Sequence, residues 1–183
     1  MTHYSPASFK PLTFHDAVPR FLAGRETPRD YLEACLATIA AREPEVMAFA
    51  FLNAAGAREA ADAATARYRA GAPLSPIDGM PMGIKDLIET RDMPTEMGSA
   101  FYKGNRPGRD SALVQALRAA GAVIVGKTVT TELGMSHPGP TRHPFDLRRT
   151  PGGSSSGSGA VISARMLPAA IGTQVLGSVI RPA

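Results

Sequence analysis

Segments with helical periodicity alternate with short apolar runs along most of the chain. Thr27-Pro28 has the features of a helix start, because a hydroxyl that can cap the helix precedes a proline at the first helical position. The apolar residues that follow at helical spacing would share one face: Tyr31, Leu32, Cys35, Leu36 and Ile39. Pro44 is predicted to end this helix.

The next two predicted elements are a strand and a helix. Met47–Leu52 is a short apolar run between Pro44 and Asn53, which predicts a buried strand. An alanine- and arginine-rich segment over residues 54–70 then predicts a helix that Gly71 stops.

A second passage from helix to strand lies further along the chain. Asp110-Ser111 would cap a helix that runs through Ala120. Gly121 would close that helix, and the β-branched residues of Ala122–Val125 predict a strand. Such alternation is typical of the α/β class.

Residues 80–88 are mostly apolar but contain one lysine, Lys85. We expect Lys85 to lie at or near the end of a strand in the sheet core. Burial there would disfavour the ammonium form and lower the pKa. The alternative is a lysine on a surface turn that pairs with its neighbour Asp86.

Residues 137–159 are rich in proline, glycine and serine and show little periodicity, which predicts a long loop. A loop of this length inside a compact domain is usually functional. A flexible linker between domains is the weaker interpretation, because the Gly/Ser run leads directly into the apolar Ala160-Val161-Ile162.

Composition indicates an ordinary globular domain, since 44% of the 183 residues are hydrophobic and 20% are charged. The net charge of +4 comes from scattered arginines, and tryptophan is absent. A solvated basic surface is therefore expected, and no nucleic-acid partner.

Cys35 is the single cysteine, so no internal disulfide can form. Met1–Pro6 lacks the basic start and apolar core of a signal peptide, and no apolar run is long enough to span a bilayer. We therefore expect a cytoplasmic enzyme with no membrane partner.

Three short motifs carry the candidate chemistry. They are Gly83-Ile84-Lys85-Asp86, the Gly/Ser run Gly152–Gly157, and the segment Gly172–Ala183. In this order they resemble the amidase signature hydrolases, from about Thr27 to the last residue. The family continues beyond the last motif, so we expect the N-terminal portion of one catalytic domain. Within residues 1–183, we expect residues 1–26 to form an N-terminal arm and residues 27–183 the core.

The resemblance implies a serine nucleophile that works without histidine. Ser178 would be the nucleophile, and neutral Lys85 would accept its proton through Ser154 as a relay. The resemblance also implies a cis peptide bond between Gly153 and Ser154. The reaction would hydrolyse a carbon–nitrogen amide bond through an acyl-enzyme and would need no metal or organic cofactor.

The same resemblance implies an oxyanion hole formed by successive backbone N–H groups of Val175, Leu176, Gly177 and Ser178. The chain departs from the commonest form of the family motif by carrying Gln174, which removes a carboxylate, and Leu176 in place of glycine. Two supporting roles are also implied. Ser155 would orient the relay, and Arg181 would support the loop through a backbone or carboxylate contact.

Two other motif matches compete with this interpretation. Residues 121–128 fit the letters of a phosphate-binding loop, but their middle residues are typical of a strand, so we consider the match false. Residues 153–157 fit a nucleophile elbow with Ser155 as nucleophile, but no strand is predicted before them. The four histidines lack metal-ligand spacing. They are His3, His15, His137 and His143.

The sequence thus predicts an α/β enzyme with α/β/α layers around a mixed, largely parallel sheet, incomplete at the C-terminus. A small-molecule amide is the expected substrate, and a homodimer is the default expectation for such an enzyme. The alternative is a truncated, non-catalytic amidase-like subunit that serves in binding or assembly. Whether the reading frame continues past Ala183 discriminates between the two.

Overall fold

The structure is a computed structural model that describes residues 9–183. Residues 1–8 lie outside the described residues. They include His3 and the segment Met1–Pro6, about which predictions were made above. The helices are α1 (Val18–Leu22), α2 (Pro28–Val46), α3 (Ala54–Arg69), α4 (Ala112–Ala119) and α5 (Ser156–Ser163). The strands are β1 (Phe49–Leu52), β2 (Pro81–Lys85), β3 (Val123–Thr128) and β4 (Ala169–Ile171).

The four strands form one mixed sheet in the order β1-β3-β2-β4. β2 is central and pairs in parallel with both β3 and β4, while β1 pairs antiparallel with β3 at the edge. Helix α3 packs on β3, and α5 packs on β2, β3 and β4. This confirms the predicted α/β class with a mixed, largely parallel sheet.

The first long helix begins where predicted, but Pro44 does not end it. Thr27 caps α2 through a reciprocal pair of hydrogen bonds with Asp30, and α2 continues past Pro44 to Val46. Proline in the last turn costs only one backbone hydrogen bond, and Met47 instead ends the helix in a left-handed conformation with φ 51°. The predicted end at Pro44 was wrong because the residues after the proline, and not the proline, close the helix.

The half-buried side chain of Glu43 holds the backbone that follows α2. The Glu43 carboxylate accepts the backbone N–H groups of Ala48 and Phe49 at 3.0 and 2.8 Å. Strand β1 therefore starts at Phe49 and not at Met47. The prediction of a buried strand was wrong, because β1 is a partly exposed edge strand with Ala50 facing solvent.

Helices α3 and α4 and the start of β3 agree with the prediction, but β3 is longer than predicted and runs to Thr128. Lys127 is therefore a strand residue and is fully buried. A phosphate-binding loop requires a loop before this lysine and a helix after it, so the structure confirms that the motif match is false.

The predicted loop is shorter than residues 137–159, because α5 starts at Ser156. The start of α5 is pressed against the backbone of the sheet, where Gly157 N–H donates to Val129 O at 2.9 Å. A Cβ on Gly157 would lie 2.3 Å from Ala48 O and 2.4 Å from Val129 N. Only glycine fits at this contact. The absence of a side chain lets α5 approach the backbone that follows β3, and α5 also packs against β2.

The predicted N-terminal arm, as far as it is described, packs against the core. It contains α1, and Phe14 and Phe21 are both buried. Phe21 makes edge-to-face contacts with Tyr31 of α2 and Tyr68 of α3. Aromatic burial of this kind joins the arm to the rest of the fold. No helix within residues 9–183 is long and apolar enough to cross a membrane.

Candidate active site

Lys85 is the last residue of β2 and is fully buried. Its Nζ lies 2.6 Å from Ser154 Oγ, 2.9 Å from Thr173 Oγ1 and 3.3 Å from Thr173 O. Removal from water penalises the ammonium form, and burial lowers the pKa of Lys85 to about 8. Near neutral pH this lysine can therefore give up its proton far more readily than an exposed one.

No carboxylate pairs with Lys85 within residues 9–183. The neighbouring Asp86 turns to the other buried lysine, Lys127, whose Nζ lies 2.9 Å from Asp86 Oδ1. The alternative of a surface Lys85–Asp86 pair is therefore wrong. An opposite charge beside Lys85 would favour its protonated form, so the absence of such a pair is consistent with a base.

Ser154 meets Lys85 from the Gly/Ser loop. The Gly153–Ser154 peptide bond is cis, as the resemblance implied. Ser154 is buried, and its carbonyl accepts the Thr131 N–H at 3.0 Å, which ties the loop to the segment after β3. Its hydroxyl is thus held within hydrogen-bond distance of the amine of Lys85.

Ser155 bonds to the third motif. Its hydroxyl donates to Thr173 O at 3.2 Å and accepts the Thr173 N–H at 3.3 Å. Its backbone N–H donates to Ser178 O at 2.9 Å. The hydroxyl is buried and occupied, and residues 147–154 contain no strand, so the structure does not have the geometry of a nucleophile elbow at Ser155.

Ser178 lies in the turn that follows the first half of the third motif. The Ser155 contact brings its backbone beside the Gly/Ser loop. No hydrogen bond joins its hydroxyl to Ser154 within the described part of the chain. Lys85 and Ser154 are thus in direct contact, while Ser178 contacts Ser155, the residue after Ser154, through its backbone.

The predicted oxyanion segment is an open turn. The side chains of Val175 and Leu176 are 93% and 98% exposed, so neither fixes the turn by packing. Gly177 has φ +141°, a conformation that a residue with a side chain rarely adopts. The backbone N–H of Arg181 donates to Gly177 O at 2.9 Å, a main-chain contact that does not use the arginine side chain. Within residues 9–183, Arg181 makes no ion pair.

Two polar residues of the site have no role in the sequence-based interpretation. Thr173 contacts Lys85 through both its hydroxyl and its carbonyl. The Gln174 side-chain oxygen accepts the N–H groups of Val179 and Ile180 at 2.9 and 3.0 Å. Both residues lie inside the third motif. The position of Thr173 in that motif, with its small polar side chain, was the only sequence signal that could have indicated its contact with Lys85.

The arrangement provides a buried amine, a serine hydroxyl in contact with it and a second serine in a nearby turn. No group of three or more histidine, cysteine or acidic side chains in residues 9–183 could hold a metal ion. His143 instead accepts the Phe145 N–H at 3.2 Å, a local loop contact. The chemistry that these residues can support is proton transfer between a lysine and serine hydroxyls.

Curated relatives match most of this chain. It is 42% identical over 178 residues to a glutamyl-tRNA(Gln) amidotransferase subunit from Chloroflexus aggregans, covering 94% of this chain and 36% of that protein. It is 45% identical over 169 residues to the protein of the same name from Acidothermus cellulolyticus, covering 88% and 34%. The chain thus spans about a third of the length of these relatives.

Solved structures share the fold. The native peptide amidase from Stenotrophomonas maltophilia superposes with a TM-score of 0.87 at 34% identity, covering 97% of this chain and 38% of that one. The sequence profile of the family described as Amidase matches residues 30–183. The match includes all three motifs and all four strands, and the chain therefore belongs to the amidase family.

Proposed function

We propose that this chain carries the catalytic machinery of an amidase, with Ser178 as nucleophile, Ser154 as proton relay and Lys85 as base. One observation carries the proposal: the buried Lys85 Nζ lies 2.6 Å from Ser154 Oγ and has no carboxylate partner within residues 9–183. A neutral amine in that position can accept the hydroxyl proton of Ser154.

The first half of the reaction forms an acyl-enzyme. Ser154 takes the proton from Ser178 as it passes its own to Lys85 Nζ, and Ser178 Oγ attacks the amide carbonyl carbon. The resulting oxyanion would accept hydrogen bonds from the backbone N–H groups of residues 175–178. Each such donor is typically worth about 2.7 to 4 kcal/mol of barrier.

The second half releases both products. The C–N bond breaks as Lys85, now protonated, returns the proton through Ser154 to the departing nitrogen. Water then attacks the ester, and its proton follows the same relay to Lys85. As the acyl C–O bond to Ser178 breaks, Lys85 returns that proton through Ser154 to Ser178 Oγ, which restores the neutral amine and the free serine. The products are a carboxylate and ammonia or an amine.

The hydrogen bonds between the motifs support this assignment. Ser155 contacts both Thr173 and Ser178, so the Gly/Ser loop and the nucleophile turn are fixed to each other. Thr173 in turn contacts Lys85. Ser155 and Thr173 would therefore hold Lys85, Ser154 and the turn that contains Ser178 in fixed positions relative to one another.

A second candidate function comes from the curated relatives. Each is named as one subunit of a glutamyl-tRNA(Gln) amidotransferase, which favours a role within an assembly. In that case the nitrogen released from an amide would pass to an acceptor instead of to solvent. A small-molecule hydrolase and an amidotransferase subunit would use the same three residues.

The test is amide hydrolysis by the full-length protein. Ammonia release is measured from glutamine and from a panel of small aliphatic and aryl amides. Ser178→Ala and Ser154→Ala should each lower kcat/KM on the order of 10³-fold or more, because each breaks the relay. Ser163→Ala, at the far end of α5, should leave it unchanged. Full activity in Ser178→Ala would refute the assignment.

The same assay separates the two candidate functions. Selective turnover of glutamine, increased by proteins that copurify with the full-length chain, supports the amidotransferase role. Turnover of small amides by the isolated protein supports the hydrolase. Labelled substrate that stays bound without release of ammonia supports the non-catalytic binding role.

A further inference from the structure

Two lysines lie fully buried on adjacent strands, at positions 85 and 127. In the parallel register of β2 and β3, Ile84 is opposite Lys127, while Lys85 is opposite Thr128. Residues that are opposite each other point to the same face of a sheet, and successive residues alternate. The side chains of Lys85 and Lys127 therefore leave the sheet on opposite faces.

The surroundings of Lys127 favour an ammonium. Burial lowers the pKa of this lysine, but the Asp86 carboxylate in contact with it, together with Asp92 and Glu89, acts against that fall. Its Nζ contacts Asp86 Oδ1 at 2.9 Å, Pro94 O at 3.0 Å and Thr95 Oγ1 at 2.7 Å. A carboxylate and a carbonyl can only accept hydrogen bonds, so of these three groups only the Thr95 hydroxyl could donate to the lone pair of a neutral amine. All three N–H groups of an ammonium find acceptors here.

The surroundings of Lys85 allow a neutral amine. Two of its three contacts are the hydroxyls of Ser154 and Thr173, and a hydroxyl can donate as well as accept. The third contact, with the Thr173 carbonyl, is the longest at 3.3 Å. Lys85 can therefore lose a proton without leaving its nitrogen unpaired.

Asp86 is held firmly on the Lys127 face. Its backbone N–H donates to Thr128 O at 2.9 Å, which continues the ladder between β2 and β3. Its second carboxylate oxygen accepts the Glu96 N–H at 3.1 Å. Because Lys127 contacts the first oxygen, both carboxylate oxygens of Asp86 have partners other than Lys85.

We propose that Lys127 is a positioning residue that binds the Asp86 carboxylate on the opposite face of the sheet and so leaves Lys85 without a counter-ion. The proposal rests on the proposed function of Lys85 as base. In this proposal Lys127 is charged and neutralises Asp86, while Lys85 is free to exchange its proton with Ser154.

No other charged group takes the place of Asp86 within residues 9–183. Helix α5 and strand β4, which pack beside Lys85, contain no charged residue. The segment after β3 contributes Glu132, which accepts the Ser99 hydroxyl at 2.9 Å, and His137. The segment after β4 contributes Arg181. None of these groups forms an ion pair with Lys85 in the part of the chain that the structure describes.

The test measures the protonation of each lysine directly. The full-length protein, labelled with ¹³C and ¹⁵N, is titrated by NMR, and each lysine Cε signal is assigned through its bonds to the backbone of the same residue. In the wild type, Lys127 should stay protonated through the pH range in which Lys85 titrates. Titration of Lys127 before Lys85 would overturn the proposal, and this measurement needs no variant of the pair to fold.

Two variants of the pair then test the mechanism. In Lys127→Met, the released Asp86 carboxylate should raise the Lys85 midpoint by about one pH unit. The double variant Asp86→Asn/Lys127→Met removes that carboxylate and should return the midpoint to the wild-type value. Lys103→Met, which removes an exposed lysine, is the matched control. Equal midpoints in the wild type and in Lys127→Met would overturn the proposal.

The readout also separates this proposal from the proposed function. If Lys85→Ala keeps full amidase activity, the role of Lys85 as base fails, whatever the NMR titration shows. If activity is lost in Lys85→Ala but the midpoint of Lys85 does not respond to Lys127→Met, only the positioning role fails.

Discussion

The proton affinity of Lys85 controls the proposed reaction at the scale of single residues. Burial lowers the pKa of Lys85 to about 8, so the neutral base is the minor form at pH 7 and the major form above about pH 8. Activity that needs this base should therefore rise with pH.

We expect kcat/KM of the full-length enzyme to increase through a midpoint near the pKa of about 8. Lys85→Arg should abolish the activity at every pH, because a guanidinium does not deprotonate in proteins. Lys103→Arg is the control. Steady-state rates across this range measure both effects, and a flat profile or an active Lys85→Arg would contradict the role of base.

Gln174 gives a second prediction at this scale. Its side-chain oxygen accepts two backbone N–H groups of the turn after Ser178. Gln174→Ala removes both hydrogen bonds and should lower kcat/KM by about tenfold, at about 0.5 to 1.5 kcal/mol for each. Gln174→Glu keeps an acceptor oxygen and should lose less. Equal losses in both variants would show that the hydrogen bonds are unimportant.

The candidate site residues could be named from the sequence, but their contacts could not. The resemblance of three motifs to the amidase signature hydrolases indicated Lys85 and Ser154, since a lysine in an apolar run and a Gly/Ser loop do not identify a site by themselves. The contact between Thr173 and Lys85 joins residues 88 positions apart. No local pattern encodes such a contact, so Thr173 and the Asp86–Lys127 pair could be assigned only from the structure.

At the scale of elements, the position of α5 depends on one glycine. A Cβ at residue 157 would meet backbone atoms of Ala48 and Val129, which cannot move as a flexible side chain can. Gly157→Ala should therefore shift the start of α5 and destabilise the protein by about 1 to 3 kcal/mol, as overpacking does. Ser163→Ala, in the last turn of α5, is the control.

Urea denaturation of Gly157→Ala, Ser163→Ala and the wild type measures this effect. Because α5 follows directly on Ser155, we also expect Gly157→Ala to lower activity more than stability alone explains at a temperature where the variant is folded. Unchanged stability in Gly157→Ala would show that the close contact of α5 with the sheet is not a constraint.

Element boundaries were harder to predict than the elements themselves. Helices α2, α3 and α4 and the strand ending at Lys85 followed from periodicity and capping residues. The end of α2 depended on Glu43 and Met47 acting together beyond Pro44. The start of α5 depended on a contact with the backbone just after β3. The first depends on local contacts around the proline and the second on a tertiary contact, and neither is revealed by a proline or a Gly/Ser run alone.

For the whole molecule, the buried lysine links folding to pH. The pKa of Lys85 falls from 10.5 to about 8 on burial. Between these values the unfolded chain binds a proton that the folded chain does not, so stability rises with pH across this window. Below it both states are protonated, and above it neither is.

We therefore expect the free energy of unfolding of the wild type, relative to Lys85→Met, to increase between these two pKa values by about 1.4 kcal/mol per pH unit. Chemical denaturation of both proteins at several pH values measures the difference. Taking the difference cancels the other titrating groups that the two proteins share. A pH-independent difference would show that Lys85 is not buried in the folded protein.

The central claim, that Ser178 is a nucleophile activated by Lys85, is tested most directly with a fluorophosphonate probe. The full-length protein is labelled, and the modified peptide is mapped by mass spectrometry in the wild type, Ser178→Ala and Lys85→Ala. We predict label on Ser178 that disappears in Ser178→Ala and weakens in Lys85→Ala. Label on Ser155, or no label on a folded wild-type protein, would contradict the claim.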